Sequence, residues 1–471
     1  MADAGSSPTN GSWNEAPERF AFVLVPNFSL IAFASAIEPL RLANRQTGRE
    51  LYSWQIVSKD GRAVRASNGV QVAVDQSVAD VRLSPGGTNP TVILCTGAGA
   101  EHFQDKELFG WLTALYPIWA KLTPEAHRLG TRLALTELLM SGVTATADHH
   151  YVFPGGLDNA IDIQVEEARA LGIRLAVTRG SMNLSVKDGG LPPDSVVQDH
   201  DTILADCERV IGRYHEQGEG ACVQVALAPC SPFSVTRKLM RETAELAARH
   251  GVRLHTHLAE THDEDAFCHA KFGMSPLDYL DDCGWLNNRT WLAHGIHFSD
   301  SDIARLGSHG VGVCHCPTSN MTLASGRCRT CELEAAGVPV GLGVDGSASN
   351  DSSNLMEGVR HAVLMNRLTY GMKVSHIDAL RWATKGSAAC LGRTDIGEIA
   401  VGKQADLALY KLDELRFSGA GDPLAALVLC GATRADRVMI QGEWKVIDGR
   451  PVHADLEQLM LDHRAAAASL G

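Results

Sequence analysis

The chain has 471 residues and contains no apolar run near the roughly 18–20 residues that a helix needs to cross a bilayer. It is short of positive charge: 42 Lys and Arg stand against 55 Asp and Glu, a net charge of −13. Phosphate backbones and anionic membrane surfaces attract cationic proteins, so neither nucleic acid nor a membrane is an expected partner. The start, MADAGSSPTNGSWNEAPERF, lacks the basic and then apolar order of a secretory signal. Its 12 Cys sit largely in apolar segments such as VILC and VGVCHC, which reads as buried reduced thiols and not as a disulfide framework. A cytoplasmic location follows as the expectation. Hydrophobic residues at 45% and charged residues at 21% are ordinary for a globular protein, which excludes wholesale disorder and fibrous repeats. The length allows two or three domains, one of them an α/β barrel of about 250 residues.

Residues 1–18 are polar and rich in Gly, Ser, Pro and Asn, the composition of a disordered tail. Residues 19–103 read as α/β, with apolar strands FAFVLV, YSWQIV and TVILC around one helical stretch. From 104 to 395, short β-branched segments alternate with amphipathic helical ones, the pattern of βα units in a parallel sheet. Seven strands are expected: VTATAD, IRLAVTRG, CVQVALAP, VRLHTH, RTWLAH, VGVCHC and VPVGLGVD. A (β/α)8 barrel whose first strand is missing or replaced accounts for that count. Residues 396–450 change to short strands with Gly turns, a small β-sandwich portion, and 451–471 form a C-terminal helix or tail.

Polar residues gather at the C-terminal ends of the barrel strands, where barrel enzymes place their chemistry. They are His255, His257 and Glu260 in HTHLAE, His294 in LAHGIHF, Cys314, His315 and Cys316 in VCHCPTSN, and Asp345 in GLGVDGSASND. Side chains alternate along a strand, so His255 and His257 share a face. A His, a second His from the next strand and an Asp from the last can converge on one cation, Zn(II) or Fe(II). Any single His among the 19 more often serves a core or loop through one hydrogen bond. The ordered set HxHxxE, H and D at successive strand ends outweighs that reading. Cys314, Cys316, Cys328 and Cys331 offer four thiolates for structural zinc, but alternation in a strand gives the first two an ordinary packing role, which is favoured.

HTHLAE, WLAHGIHF, CHCPTSNM and GLGVDGSASND resemble the amidohydrolase superfamily. Together with TADHHYVFPGG, TRGSMNLS and LAPCSPFSV they are most similar to its purine and triazine aminohydrolases, the 8-oxoguanine deaminase and hydroxyatrazine ethylaminohydrolase kind, over about residues 106–450. The resemblance implies hydrolytic release of ammonia or an amine from a heterocycle by a divalent metal. It makes His257 the metal ligand of strand five, Glu260 the proton shuttle, His294 the strand-six His beside the metal, and Asp345 both ligand and base. Cys230, Ser231 and Asn320 are candidate contacts to the substrate ring. The segment 181–200, with its Gly and Pro, is expected to be a mobile lid.

The family begins its barrel with a strand ending in HxH, and this sequence has no such motif upstream of residue 108: His102, in GAGAEHF, is the only His there and the remaining candidate ligand. Residues 20–103 instead resemble the first half of the PfpI-like domain of GlxA-type AraC-family regulators. The elbow Cys of that fold and a helix-turn-helix region do not follow, so no transcriptional role is implied. Either TVILC takes the vacant first slot of the barrel, or the N-terminal residues form a truncated α/β lobe of their own. A catalytically dead fusion, or an interaction module, is the alternative to the enzyme. A gapped barrel exposes apolar surface, and a homo-oligomer is expected from it.

Overall fold

The structure, a computed structural model, describes residues 17–26, 28–66, 68–81, 90–95 and 108–470. His102 and residues 1–16 of the expected tail lie outside the described residues. The chain divides into two compact units, Met1–Asp105 and Lys106–Gly471.

In the first unit, β1 (Glu18–Leu24) pairs in parallel with β2 (Tyr52–Ser58), and a hairpin of β3 (Val64–Arg65) and β4 (Gln71–Val72) precedes β5 (Gln76–Ser77). β6 (Thr91–Cys95), the TVILC segment, pairs with the other edge of β1 in the register Phe20↔Thr91 to Leu24↔Cys95. The sheet order β5-β2-β1-β6 therefore decides between the two expected outcomes: TVILC belongs to the N-terminal lobe and does not enter the barrel slot. Phe22, Leu24 and Phe28 form the core of this unit with Phe33 of the helix Leu30–Thr47, which is capped by Ser29.

The second unit holds a parallel sheet of seven strands in sequential order: β7 (Ala145–Ala147), β8 (Arg174–Ser181), β9 (Val223–Pro229), β10 (Arg253–Leu258), β11 (Thr290–His294), β12 (Gly312–His315) and β13 (Val340–Leu342). All seven expected strands are present, each within a few residues of its expected bounds. Most of their residues are buried, as crossover helices require: all five residues of β11 are buried, while the edge strand β7 is half-buried. Helices Ala160–Leu171, Arg237–His250 and Asp300–His309 end on the left-handed glycines Gly172, Gly251 and Gly310, a conformation that glycine adopts at least cost. This is the (β/α)8 architecture less one strand.

The two edge strands, β7 and β13, line a single cavity, so the sheet curls round on itself without closing among the described residues. An open edge leaves backbone polar groups unpaired. At β13 the Ser387 hydroxyl takes the place of a partner strand for one amide, accepting the Leu342 N–H at 3.1 Å while donating to the Trp382 carbonyl at 2.9 Å.

Beyond the barrel strands, β14 (Leu407–Leu409), β15 (Arg437–Ile440), β16 (Glu443–Ile447) and β17 (Arg450–Pro451) form an antiparallel sheet. It is tied to the barrel by a buried ion pair, Arg174 to Asp406 at 2.6 Å, and by the Tyr410 hydroxyl donating to the Ser141 carbonyl at 2.6 Å. The closing helix Leu456–Leu470 packs on the helix Pro124–Met140. All twelve Cys are free thiols and only Cys430 is exposed. No helix among the described residues is long and apolar enough to cross a membrane.

Candidate metal centre

β10 turns His255 and His257 to the interior, as the two-residue period requires. His257 Nδ1 lies 2.8 Å from the carbonyl oxygen of Cys230. A carbonyl only accepts, so Nδ1 carries the proton and Nε2 is left bare, the form that binds a cation. His255 makes the same kind of bond, 3.0 Å to the Trp291 carbonyl, and its ring stacks on Trp291; burial, then the neighbouring His257, pushes it down to about 3.

The chain leaves β10, β11 and β13 through left-handed residues that are not glycine: Ala259 (φ 54°), His294 (φ 72°) and Asp345 (φ 64°). Such conformations persist where the surroundings over-determine them, and they concentrate at functional sites. Here they aim Glu260, the imidazole of His294 and the carboxylate of Asp345 at one place. The ligand atoms of His257, His294 and Asp345 all lie within 4.8 Å of one another. Asp345 accepts from the Ser319 hydroxyl at 2.6 Å, the Ser349 hydroxyl at 3.1 Å and the Gly346 N–H at 2.7 Å. Burial alone would raise its pKa; the two imidazoles and the Ser319 bond outweigh it and hold the carboxyl below its ordinary value.

Glu260 is 4% exposed, with Oε2 at 3.5 Å from His294 Nε2 and Oε1 accepting from Ser325 at 3.3 Å. Burial, and after it the Asp345 charge, pushes its carboxyl up to about 7. Two carboxyls of one site thus sit on opposite sides of their ordinary values, the separation that assigns a base and an acid. The donor set fits a divalent cation: imidazole and carboxylate, with His294 buried, His257 and Asp345 half-buried, and hydrogen bonds fixing each from behind.

Each of the candidate ring contacts, Cys230, Ser231 and Asn320, has a partner within the protein. Cys230 orients His257 through its carbonyl, Ser231 exchanges a hydrogen bond with Ser234 at 2.7 Å, and Asn320 Nδ2 lies 3.0 Å from His294 Nδ1. With that amide donating, His294 keeps its proton on Nε2 and faces Glu260 and Asp345 as a donor. Turned about, the amide would offer Oδ1, which has no partner where it lies, and Nε2 would be free to bind. Asn320 therefore sets which role His294 plays.

His149 was not among the expected site residues. It continues the inward face Ala145, Ala147 at the end of β7, a signal the period of two carries. Its ring stacks on His257 with centroids 4.3 Å apart and planes 11° apart, Nε2 donates to the Ala228 carbonyl at 3.0 Å, and Nδ1 is buried without a partner. Gly180 makes room for this turn, since a Cβ there would collide with the His150 carbonyl. The cavity, of about 430 Å³, reaches His149, His257 and Asp345 and is walled by Trp111, Trp119 and Tyr151.

The segment 181–200 is not the free lid expected of its Gly and Pro content. Met182 and Val196 are buried in the apolar cluster with Trp111 and Phe233, and the amides of Asn183, Leu184 and Leu191 bond to the carbonyls of Ser234 and Phe233.

Comparison with known proteins agrees with this geometry. The amidohydrolase family profile matches residues 99–445, and the chain belongs to that family. It is 62% identical over 367 residues to 8-oxoguanine deaminase of Pseudomonas aeruginosa PAO1, covering 78% of this chain and 82% of that protein. It is 38% identical over 323 residues to hydroxydechloroatrazine ethylaminohydrolase of Pseudomonas sp. strain ADP, 67% of each chain. Among solved structures, atrazine chlorohydrolase TrzN from Arthrobacter aurescens TC1 complexed with zinc superposes with a TM-score of 0.75 at 32% identity, over 87% of this chain and 94% of that one.

Proposed function

We propose that the protein is a metal-dependent hydrolytic deaminase of an oxidised purine or related triazine-like heterocycle, releasing ammonia or a small amine. The observation that carries this is the convergence of His257, His294 and Asp345 with Glu260 in a chain 62% identical to an 8-oxoguanine deaminase. That identity favours an enzyme over a non-catalytic fusion.

His257 and Asp345, with His294 beside them, would hold Zn(II) or Fe(II). When bound, such a cation lowers the pKa of a water and strengthens it as a nucleophile near neutral pH. Asp345, ionised, accepts the proton that the water loses as it attacks the carbon of the C–N bond. Glu260, close to 7, delivers its proton to a ring nitrogen, regains one from the new hydroxyl group on the attacked carbon, and passes that one to the departing amine as the C–N bond breaks; the proton held by Asp345 then returns to Glu260. The Nε2–H of His294 donates to the oxygen on which charge develops. Trp111, Trp119 and Tyr151 give the cavity flat apolar walls suited to a planar ring. With no HxH upstream of residue 108, fewer imidazoles grip the metal; even residues that only orient ligands are worth about 10- to 100-fold in affinity, so zinc must be supplied in excess.

Free thiols throughout support a reducing, cytoplasmic setting, and exposed Leu368 and Met372 support self-association. The test is ammonia release from 8-oxoguanine, isoguanine and a hydroxytriazine by zinc-supplemented protein. Turnover should appear with at least one of them and fall by about 100-fold or more in Asp345→Asn and in Glu260→Gln. No ammonia from any would leave the non-catalytic fusion standing.

A further inference from the structure

Glu264 is completely buried and enters no ion pair among the described residues, although it lies one turn from the candidate metal centre. Its carboxylate is fully used nonetheless: Oε1 accepts the Ala259 N–H at 3.0 Å and Oε2 accepts the Glu260 N–H at 3.1 Å. A helix-capping role does not explain these bonds. The helix His262–Phe272 has Thr261 as its N-cap, and the amides that Glu264 takes precede that cap. They belong to the turn by which the chain leaves β10.

That turn is unfavourable by itself, because Ala259 is left-handed at φ 54° and a Cβ disfavours the conformation. On the other side, the Ala259 carbonyl accepts the N–H groups of Ile296 and His297, both at 2.9 Å. Ala259 is thus pinned from both sides, and Glu260 follows directly from it. Among the described residues, the side chain of Glu260 has only Ser325 and His294 to hold it, at 3.3 and 3.5 Å, so its location is set chiefly by its backbone.

We propose that Glu264 is a positioning residue that clamps the Ala259–Glu260 turn and so places the Glu260 carboxyl over the reacting atoms. The catalytic consequence rests on the deaminase reading; the clamp itself does not. Glu264→Gln puts an NH2 against one of the two N–H groups, and Glu264→Asp is one methylene too short to reach both. In zinc-supplemented protein each should lower kcat for 8-oxoguanine by about 10- to 100-fold, with KM and zinc content changed less than about threefold. Glycine at 259 adopts the turn without strain. In an Ala259→Gly background the loss from Glu264→Gln should therefore shrink at least about threefold. In metal-free protein, hydrogen exchange at the amides of 259 and 260 should accelerate about tenfold or more in Glu264→Gln, while residues 254–257 of β10 keep their protection.

An undiminished kcat, or the same loss with Ala and with Gly at 259, would overturn the positioning role. Unchanged exchange at 259 and 260 would overturn the clamp. If the wild type releases no ammonia, the deaminase reading fails and the exchange measurement alone decides the role of Glu264.

Discussion

Replacing Glu260 by Gln should stabilise the metal-free protein at alkaline pH, and by an amount the structure sets. The carboxyl, at an ordinary value of 4.5 in the unfolded chain, is pushed up to about 7 by burial first and the Asp345 charge second. The folded state therefore holds a proton between these values that the unfolded state has released. For a group raised in this way, the stabilisation is complete below pH 4.5 and is lost as pH rises through 7. At about 1.36 kcal/mol per unit, the loss approaches roughly 3 kcal/mol by pH 8, most of it between pH 5 and 8. Gln stays neutral and feels none of this. Urea unfolding of metal-free protein, followed by the fluorescence of the buried Trp285 and Trp382, should show Glu260→Gln close to wild type at pH 5 and about 2–3 kcal/mol more stable at pH 8. A difference between the two proteins that does not change with pH would refute the argument and remove the basis for a proton-carrying Glu260.

Two further outcomes follow from the same geometry. Asn320→Asp replaces the amide donor with an acceptor, draws the His294 proton to Nδ1 and frees Nε2, so zinc affinity measured by chelator competition should rise about tenfold. Asp406→Ala leaves the guanidinium of Arg174 buried without its counter-charge, and should lower the unfolding free energy by about 3–5 kcal/mol in the same urea assay.

The parts of the fold that a period reveals were legible in the sequence. Strand alternation and the glycines closing helices gave the seven barrel strands, and alternation put His255 and His257 on one face. The convergence of His257, His294 and Asp345 followed from their shared position at strand ends, although they are separated by up to 88 positions in the chain. The rest depended on information that a local pattern does not carry. TVILC is equally apolar for either sheet, and only the pairing of β6 with β1 decides its place. The Gly and Pro residues of 181–200 read alike whether the loop is loose or packed; buried Met182 and Val196 make it packed. Cys230 acts through its backbone carbonyl, which no side-chain pattern announces. His149 lay hidden in a His-His pair, in which His149 stacks on His257 while His150 packs against His127 and Phe153.

The central claim is that His257 and Asp345, from distant strands and with His294 beside them, grip one cation. Zinc bound per chain, measured after equilibrium dialysis against buffered free zinc for wild type, His257→Ala and Asp345→Asn, tests it directly. The wild type should approach one zinc per chain, and each variant should need at least about tenfold more free zinc to reach half-saturation. Equal binding by all three proteins, or none by the wild type at any free zinc that leaves it folded, would contradict the claim.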